Sequence, residues 1–321
     1  MNNTQSIAQE VAVRAGPSIQ RFTPEGVFAA MLVSIAAYLG VTSVYLDTSF
    51  GVFIQQFVVV VLFIGSSTFL HLCRHHHWTK ACRCLIFFGF ISYLYNALAG
   101  LAFNHVPWLS DGTLFSFDVL LGIELFHTQI APAVTQVRWI TELLSIGYAA
   151  FVPYLLVSVF LHGTQRNAQL REMFLLSLAL LYAISFLGYL FVPAHGPVLY
   201  LDKQFASSIN SGFFHSIVTN SVNQAGGPHG AFPSIHVGAA VLMCLFDFKH
   251  GNRSRGWLYL PLVLVIGLAT VMLRYHYVVD LIAGVGIAFT SLFIAERWFS
   301  KKPDVALGVQ QSDKKSVDGM S

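Results

Sequence analysis

The sequence predicts an all-α membrane protein, a bundle of about eight transmembrane helices. Of its 321 residues, 55% are hydrophobic and only 10% are charged, whereas a typical soluble domain carries about 25% charged residues. The mean hydropathy is +0.64. Apolar runs close to the about 20 residues that one bilayer crossing needs recur along the whole chain. Most of the chain is therefore expected to face lipid or other helices, within one polytopic membrane domain.

Eight apolar segments define the predicted spans. They cover residues 27–46, 52–72, 84–105, 139–161, 172–192, 232–248, 257–273 and 278–298. The segment 113–126 is apolar too, but it is short and carries Asp118 and Glu124, which favours an interfacial or re-entrant helix. We therefore divide the chain into an N-terminal tail (1–26), a membrane domain (27–298) and a polar, disordered C-terminal tail (299–321).

The basic residues are distributed unequally between the two sides of this arrangement. With eight spans both termini lie on one side, and of the 18 Lys and Arg residues only Arg138, Lys203 and Arg274 fall on the other. Cytoplasmic loops carry an excess of Lys and Arg, so both termini are expected to be cytoplasmic. The three exceptions are candidates for a functional role, although Arg138 and Lys203 also fit ordinary interfacial anchors.

The stretch GGPHGAFPSIH (226–236) opens the sixth predicted span. Gly230 and its neighbouring glycines permit tight turns and close approach to a ligand, and Pro233 suits a first helical turn. Ser234 lies where the helix opens, and the free N–H groups and positive dipole end there favour an anion. His236 follows within reach of the same anion.

The stretch LRYHYVVD (273–280) leads into the eighth predicted span, on the same, non-cytoplasmic face. On a helix His276 and Asp280 would share one face. A carboxylate there can hold one imidazole nitrogen and leave the other free as a nucleophile. Arg274 adds a guanidinium suited to phosphate oxygens.

Together these side chains are typical of phosphoryl transfer through a phosphohistidine. His276 would attack phosphorus, and His236 would protonate the leaving oxygen and then deprotonate the acceptor. Arg274, Ser234 and backbone N–H groups would stabilise the phosphoryl oxygens. This chemistry predicts no metal and no cofactor. The shortness of the sixth and seventh spans further predicts that the site lies at or just below the interface.

The paired motifs G-x-F-P-S-x-H and R-x-H-x-x-x-D resemble the second and third motifs of the type-2 phosphatidic acid phosphatase superfamily. Phe232-Pro233-Ser234-Ile235-His236 is most similar to the inositol phosphorylceramide synthase-like branch, as are GYLFVPAHGP (188–197) and the segment Asp118-Val-Leu-Leu-Gly. The resemblance covers roughly residues 108–298. It implies a six-helix phosphatase-like core and a lipid phosphate or phospholipid substrate, with no nucleic acid partner.

The sequence departs from this pattern at two places. The first motif, K-x6-R-P, is absent, and Ala269-Thr270 stands where a Ser-Arg pair is usual. Arg274 is the candidate replacement for that arginine, and Arg138 or Lys203 for the first motif. With Ser234 and Gly230, these residues form the predicted phosphate-binding set.

Several alternatives stay open at this point. Water as acceptor makes the protein a phosphatase, whereas a ceramide, diacylglycerol or inositol hydroxyl makes it a transferase. A transporter with a His/Asp proton relay is a second class, opposed by the clustering at one face and the lack of an inverted repeat. A lipid-binding protein without activity is a third.

Histidines and cysteines at 73–84 suggest a metal site, but a basic cytoplasmic loop is the preferred interpretation. His195 and His229 are interpreted as structural or substrate-adjacent.

Overall fold

The computed structural model describes residues 23–27, 30, 50–73, 78–105, 108–205, 207–224 and 230–300. Most of the first predicted span, the histidines at 75–77, His229 and the residues after Ser300 lie outside this part of the chain. Within it the protein is helical, with no β-strand, which confirms the predicted all-α class.

The helices are numbered here in chain order. They are α1 (Phe50–Leu72), α2 (Thr79–His105), α3 (Asp111–Leu120), α4 (Ala131–Thr135), α5 (Arg138–Ala149), α6 (Phe151–Gly163), α7 (Ala168–Phe191), α8 (Pro197–Tyr200), α9 (Phe213–Gln224), α10 (Ile235–Lys249), α11 (Arg253–Met272) and α12 (Val278–Ser300). A π-helical turn (Phe126–Ile130) precedes α4, and a 3-10 turn (Asp202–Gln204) follows α8.

Seven of the eight predicted spans coincide with observed helices. Among the described residues, four helical stretches are long and apolar enough to cross a membrane: Arg138–Gly163, Ala168–Phe191, Arg253–Met272 and Val278–Ser300. These support an integral membrane protein, while the count of eight stays a prediction. The predicted interfacial helix is present as α3, although it ends at Leu120 and the chain turns at Gly122 (φ +74°).

The predicted span 139–161 is divided at Ala150 into α5 and α6. Pro153 is the cause that the sequence offers, since proline has no N–H to donate to the carbonyl four residues earlier and its ring crowds that carbonyl. The two helices still form one apolar stretch of 26 residues. The division places Tyr148 and Phe151 side by side at the level of the candidate site.

Helix α7 forms the centre of the bundle and packs against α10 and α12. Phe174, Leu178, Tyr182 and Phe186 recur every fourth residue along it, and all four are buried. This spacing places them along one helix face. The core therefore supports the two helices that carry the histidine motifs.

The backbones of α10 and α12 touch near their N-termini. A Cβ atom on Gly238 would lie 2.9 Å from the carbonyl oxygen of Gly284, and one on Gly284 would overlap the carbonyl oxygen of Ser234. Small residues permit such close approach between helices in a membrane. The backbone N–H of Ser234 also donates to the carbonyl oxygen of Asp280 (3.0 Å). The two helix starts are thus fixed relative to each other.

The opposite ends of these helices carry ionic groups. Arg255 of α11 pairs with Asp247 near the end of α10, and Lys249 pairs with Glu296 of α12 at 2.9 Å. The bundle therefore has an ionic end and an end that holds the histidines. The ionic end is the one that the distribution of Lys and Arg predicts to be cytoplasmic.

We expect Gly284→Ala to destabilise the fold by about 1–3 kcal/mol, because the new methyl group overlaps backbone that cannot rotate away. Gly286→Ala on the same helix is the matched control, since a Cβ there meets nothing within 4 Å. Thermal unfolding in detergent measures both. Equal transition temperatures for the two variants would contradict the proposed contact between α10 and α12.

Candidate active site

The segment between α11 and α12 presents His276. Arg274 has a left-handed backbone (φ +67°), and the N–H groups of Tyr275 and His276 both donate to the carbonyl oxygen of Thr270, at 3.0 and 3.2 Å. This compact turn reverses the chain. The imidazole of His276 then lies beside the start of α10, with only 4% of the residue exposed.

Two oxygens lie near the Nδ1 atom of His276. The carbonyl oxygen of Ala231 is 2.7 Å away, and Oδ2 of Asp280 is 3.4 Å away. A carbonyl oxygen can only accept a hydrogen bond, so Nδ1 must carry the proton. In the neutral ring Nε2 then holds the lone pair. The Ala231 carbonyl is therefore the main group that orients the His276 ring, and the Asp280 carboxylate is the second.

The expectation that His276 and Asp280 share a helix face is wrong. Helix α12 begins at Val278, so His276 precedes it. Asp280 lies in the first turn, and its Oδ2 accepts a hydrogen bond from the N–H of Tyr277 (2.8 Å). A side chain that reaches back in this way satisfies an N–H group at the helix start. The carboxylate reaches the imidazole because it caps the helix that follows it.

His236 lies in the first turn of α10, opposite His276. The two ring centroids are 6.2 Å apart. Its imidazole packs against the rings of Tyr148 and Phe151, with centroids at 4.8 and 4.5 Å. Within the described part of the chain, its buried Nδ1 atom has no hydrogen-bond partner. Aromatic packing therefore fixes the ring while leaving Nδ1 available.

Ser234 is the N-cap residue of α10. Its Oγ accepts from the N–H of Val237 at 3.5 Å, and the side chain is fully buried. The expectation that Pro233 occupies the first helical turn is wrong, because the helix begins after Ser234. Proline instead precedes the cap, where its missing N–H is not needed. The hydroxyl hydrogen of Ser234 can still donate to a ligand.

Arg274 is buried without an acidic partner among the salt bridges of the described residues. Its Nη2 donates to the carbonyl oxygen of Ser207 (3.0 Å) and to Oγ1 of Thr135 (3.3 Å). Its guanidinium carbon lies 4.0 Å from the centre of the Phe205 ring. Burial lowers the pKa of this guanidinium to about 10, so the group is protonated at neutral pH. The Asp202 carboxylate attracts this cation, but its hydrogen-bond partners are neutral, and a buried cation with neutral hydrogen-bond partners favours an anion.

The other three predicted phosphate-binding residues differ in their positions. Gly230 adopts a positive φ of +73°, and a Cβ there would lie 2.8 Å from the ring of Tyr189. It thus allows the turn that places the Ala231 carbonyl beside His276. Arg138 and Lys203 are exposed, and no hydrogen bond or ion pair in the described part of the chain links either to the histidines.

The sequence reasoning missed the structural role of the acidic residues on α3. Asp111 accepts from the N–H groups of His195 (3.0 Å) and Gly196 (2.9 Å) and from the hydroxyl of Tyr277 (3.0 Å). Asp118 contacts the start of α12. The two aspartates are seven residues apart, a spacing that places both on one helix face. In the sequence, that spacing is the feature that could have predicted a shared role for Asp111 and Asp118.

The fold and the site define a helical membrane protein with two histidines, an aspartate and a buried arginine at one end of its bundle. Among the described residues, no group of three or more His, Cys, Asp or Glu side chains is arranged to hold a metal ion.

The family model of the PAP2 superfamily matches residues 112–294, more than half of the chain. The chain therefore belongs to the PAP2 superfamily. A PA-phosphatase related-family protein of Dictyostelium discoideum is 30% identical over 125 residues, which cover 38% of this chain and 22% of that protein. The chain thus spans about a fifth of the length of this curated relative. No solved structure matches it.

We expect Nδ1 of His276 to carry a proton, because the Ala231 carbonyl oxygen can only accept a hydrogen bond. Nitrogen-15 spectra of histidine-labelled protein in nanodiscs measure this. The signal lost in His276→Gln identifies the residue, and it should show a protonated Nδ1. An Nδ1 atom without a proton would contradict the described hydrogen bond.

Proposed function

We propose that the protein transfers the phosphoryl group of a lipid phosphate or phospholipid through a covalent phosphohistidine on His276. The observation that carries the proposal is the hydrogen bond from Nδ1 to the Ala231 carbonyl, which leaves Nε2 with the lone pair. A nucleophile whose other nitrogen is held by an acceptor is the arrangement expected of an activated imidazole.

The first step forms a bond between Nε2 of His276 and phosphorus, and the bond from phosphorus to the leaving oxygen breaks. His236 gives that oxygen its proton. In the second step His236 takes a proton from water or an alcohol, the new oxygen–phosphorus bond forms and the nitrogen–phosphorus bond breaks. The ring centroids lie 6.2 Å apart, so both histidines can reach one phosphoryl group, as general acid–base catalysis by a second histidine requires.

The phosphoryl oxygens would be stabilised mainly by the start of α10 and by Arg274. The N–H groups of Ile235 and His236 have no intrahelical partner at a helix N-terminus. No other described contact takes them, so they are suited to bind an anion. Ser234 and the buried Arg274 add a hydroxyl and a positive charge. Arg138 and Lys203 stay in the proposal as residues that contact the headgroup from outside.

The acceptor separates two forms of this function. Water makes the protein a lipid phosphate phosphatase, and an alcohol makes it a headgroup transferase similar to inositol phosphorylceramide synthases. The motif Phe232-Pro233-Ser234-Ile235-His236 favours the transferase form. Family membership alone supports the phosphatase class. Both forms need no metal, and both would place the site on the non-cytoplasmic face at or just below the interface, with the two termini in the cytoplasm.

Phosphate release from a panel of lipid phosphates, in detergent with EDTA, tests the proposal. Wild type should release phosphate, and His276→Ala should lose several orders of magnitude in rate because the nucleophile is gone. His250→Gln, at the ionic end of the bundle, is the matched histidine control. Release that stops with EDTA would contradict the metal-free mechanism. No release from folded wild type, with or without alcohol acceptors, would favour a lipid-binding protein.

The role of His236 is tested by the leaving group. His236→Ala should reduce the rate about 10²–10⁴-fold on an alkyl phosphate lipid, because the departing alkoxide needs a proton. With a nitrophenyl phosphate, whose leaving oxygen departs without one, the loss in the first step should be much smaller. Phosphohistidine should then accumulate on His276, measured by acid-labile, base-stable phosphate on the protein. Equal losses in the first step on both substrates would show that His236 is not the acid.

A further inference from the structure

Asp118 is a buried carboxylate at the start of α12. Its Oδ2 accepts from the N–H of Val278 at 2.7 Å, and its Oδ1 accepts from the N–H of Val279 at 2.9 Å. The residue is fully buried. The first N–H groups of a helix lack intrahelical partners and are normally satisfied by an N-cap side chain. Here the N-cap position is Tyr277, whose side chain is not a capping group. The carboxylate of Asp118 on α3 therefore accepts these N–H groups instead.

His127 completes this contact. Its Nε2 lies 2.6 Å from Oδ2 of Asp118, and because a carboxylate only accepts, the nitrogen donates. The imidazole is buried against the rings of Phe115 and Tyr277. Three donors therefore converge on one carboxylate in a site closed to water. Such a charge-assisted contact is stronger and more directional than a neutral one.

The geometry connects this carboxylate to the imidazole of His276. The hydrogen bonds of Asp118 hold Val278 and Val279 from one side, which fixes the first turn of α12. In that turn Tyr277 keeps its N–H toward Asp280 (2.8 Å), and Asp280 stays beside Nδ1 of His276 (3.4 Å). The described contacts of Asp118 include none with His276, so its effect passes through the backbone.

A second contact of α3 acts on the other oxygen next to Nδ1. Asp111 holds the N–H groups of His195 and Gly196. The adjacent Ala194 carbonyl accepts from the N–H of Ala231 at 3.0 Å, and the carbonyl of Ala231 accepts from His276. Both acceptors of the Nδ1 proton are therefore held by aspartates on one face of α3.

We propose that Asp118, oriented by His127, is a positioning residue that holds His276 in its reactive tautomer by capping α12 from α3. The inference rests on the proposed function of His276 as nucleophile. It adds a carboxylate–imidazole pair that touches neither substrate nor the reacting atoms. Asp118 contacts the backbone of Val278 and Val279 and not His276 itself. It therefore affects the rate of the chemical step and not the affinity for lipid.

The test compares kinetic constants of Asp118→Asn with those of wild type. The amide keeps the shape but accepts with one oxygen only and presents N–H groups to the N–H of Val278. A misplacement of the reacting group by about 1 Å can cost about 10²-fold in rate, so kcat should fall about 10- to 100-fold while KM stays within about twofold. Glu124→Gln, an exposed acid after α3, is the matched control and should keep both constants.

Two variants of His127 test the same proposal if Asp118→Asn does not fold. His127→Gln keeps a side-chain N–H for Asp118 and should retain most of kcat, whereas His127→Leu should lose about 10-fold. Equal kcat in wild type, His127→Leu and Asp118→Asn would overturn the proposal. So would a rise in KM at unchanged kcat.

The nitrogen-15 signals of His276 separate this inference from the enzymatic proposal. Folded Asp118→Asn should show a mixture of the two imidazole tautomers, while Glu124→Gln keeps the proton on Nδ1. A mixture in a protein without turnover would support the positioning role and reject the catalytic one. An unchanged Nδ1 proton in Asp118→Asn would reject the positioning role even if His276→Ala abolishes activity.

Discussion

The hydrogen bond from Nδ1 of His276 to the carbonyl of Ala231 depends on the loops that contain Gly196 and Gly230. Gly230 turns with a positive φ so that Ala231 faces the imidazole. Gly196 lies so close to the carbonyl of Tyr275 that a Cβ would overlap it. Such a bond contributes only about 1 kcal/mol net, much less than the entropy cost of ordering these loops. The surrounding backbone contacts must therefore hold the geometry, and the bond itself selects the tautomer.

The membrane environment explains how the acidic residues are used. A buried polar group without a partner is costly away from water. Asp111 and Asp118 meet this constraint by accepting backbone N–H groups from the segments beside the candidate site. By contrast, Oδ1 of Asp280, Nδ1 of His236 and Nε of Arg274 have no partner in the described part of the chain. Unsatisfied atoms on three of the predicted site residues are consistent with a polar ligand there.

The fold class and the core of the site could be predicted because each depends on local patterns. Long apolar runs are enough to indicate membrane helices, and glycine, proline and serine before His236 indicate a helix start. The register of His276 could not be predicted. The periodicity of LRYHYVVD continues through the turn, and the helix starts at Val278 because Asp118, which is 160 residues away in sequence, caps it there. Long-range caps leave no trace in the segment that they terminate.

The N-termini of α10 and α12 differ in electrostatic character because different side chains cap them. Each helix N-terminus carries a partial positive charge. At α12 this charge is already met by two carboxylates, since Asp118 takes the N–H groups of Val278 and Val279 and Asp280 takes that of Tyr277. At α10 the cap is the neutral Ser234. An anion is therefore favoured at α10 and disfavoured at α12, so a phosphoryl group would be held beside His236 and approached by His276 from the α12 side. The proposed roles of the two histidines are thus consistent with this difference, because only the N-terminus of α12 is already neutralised by carboxylates.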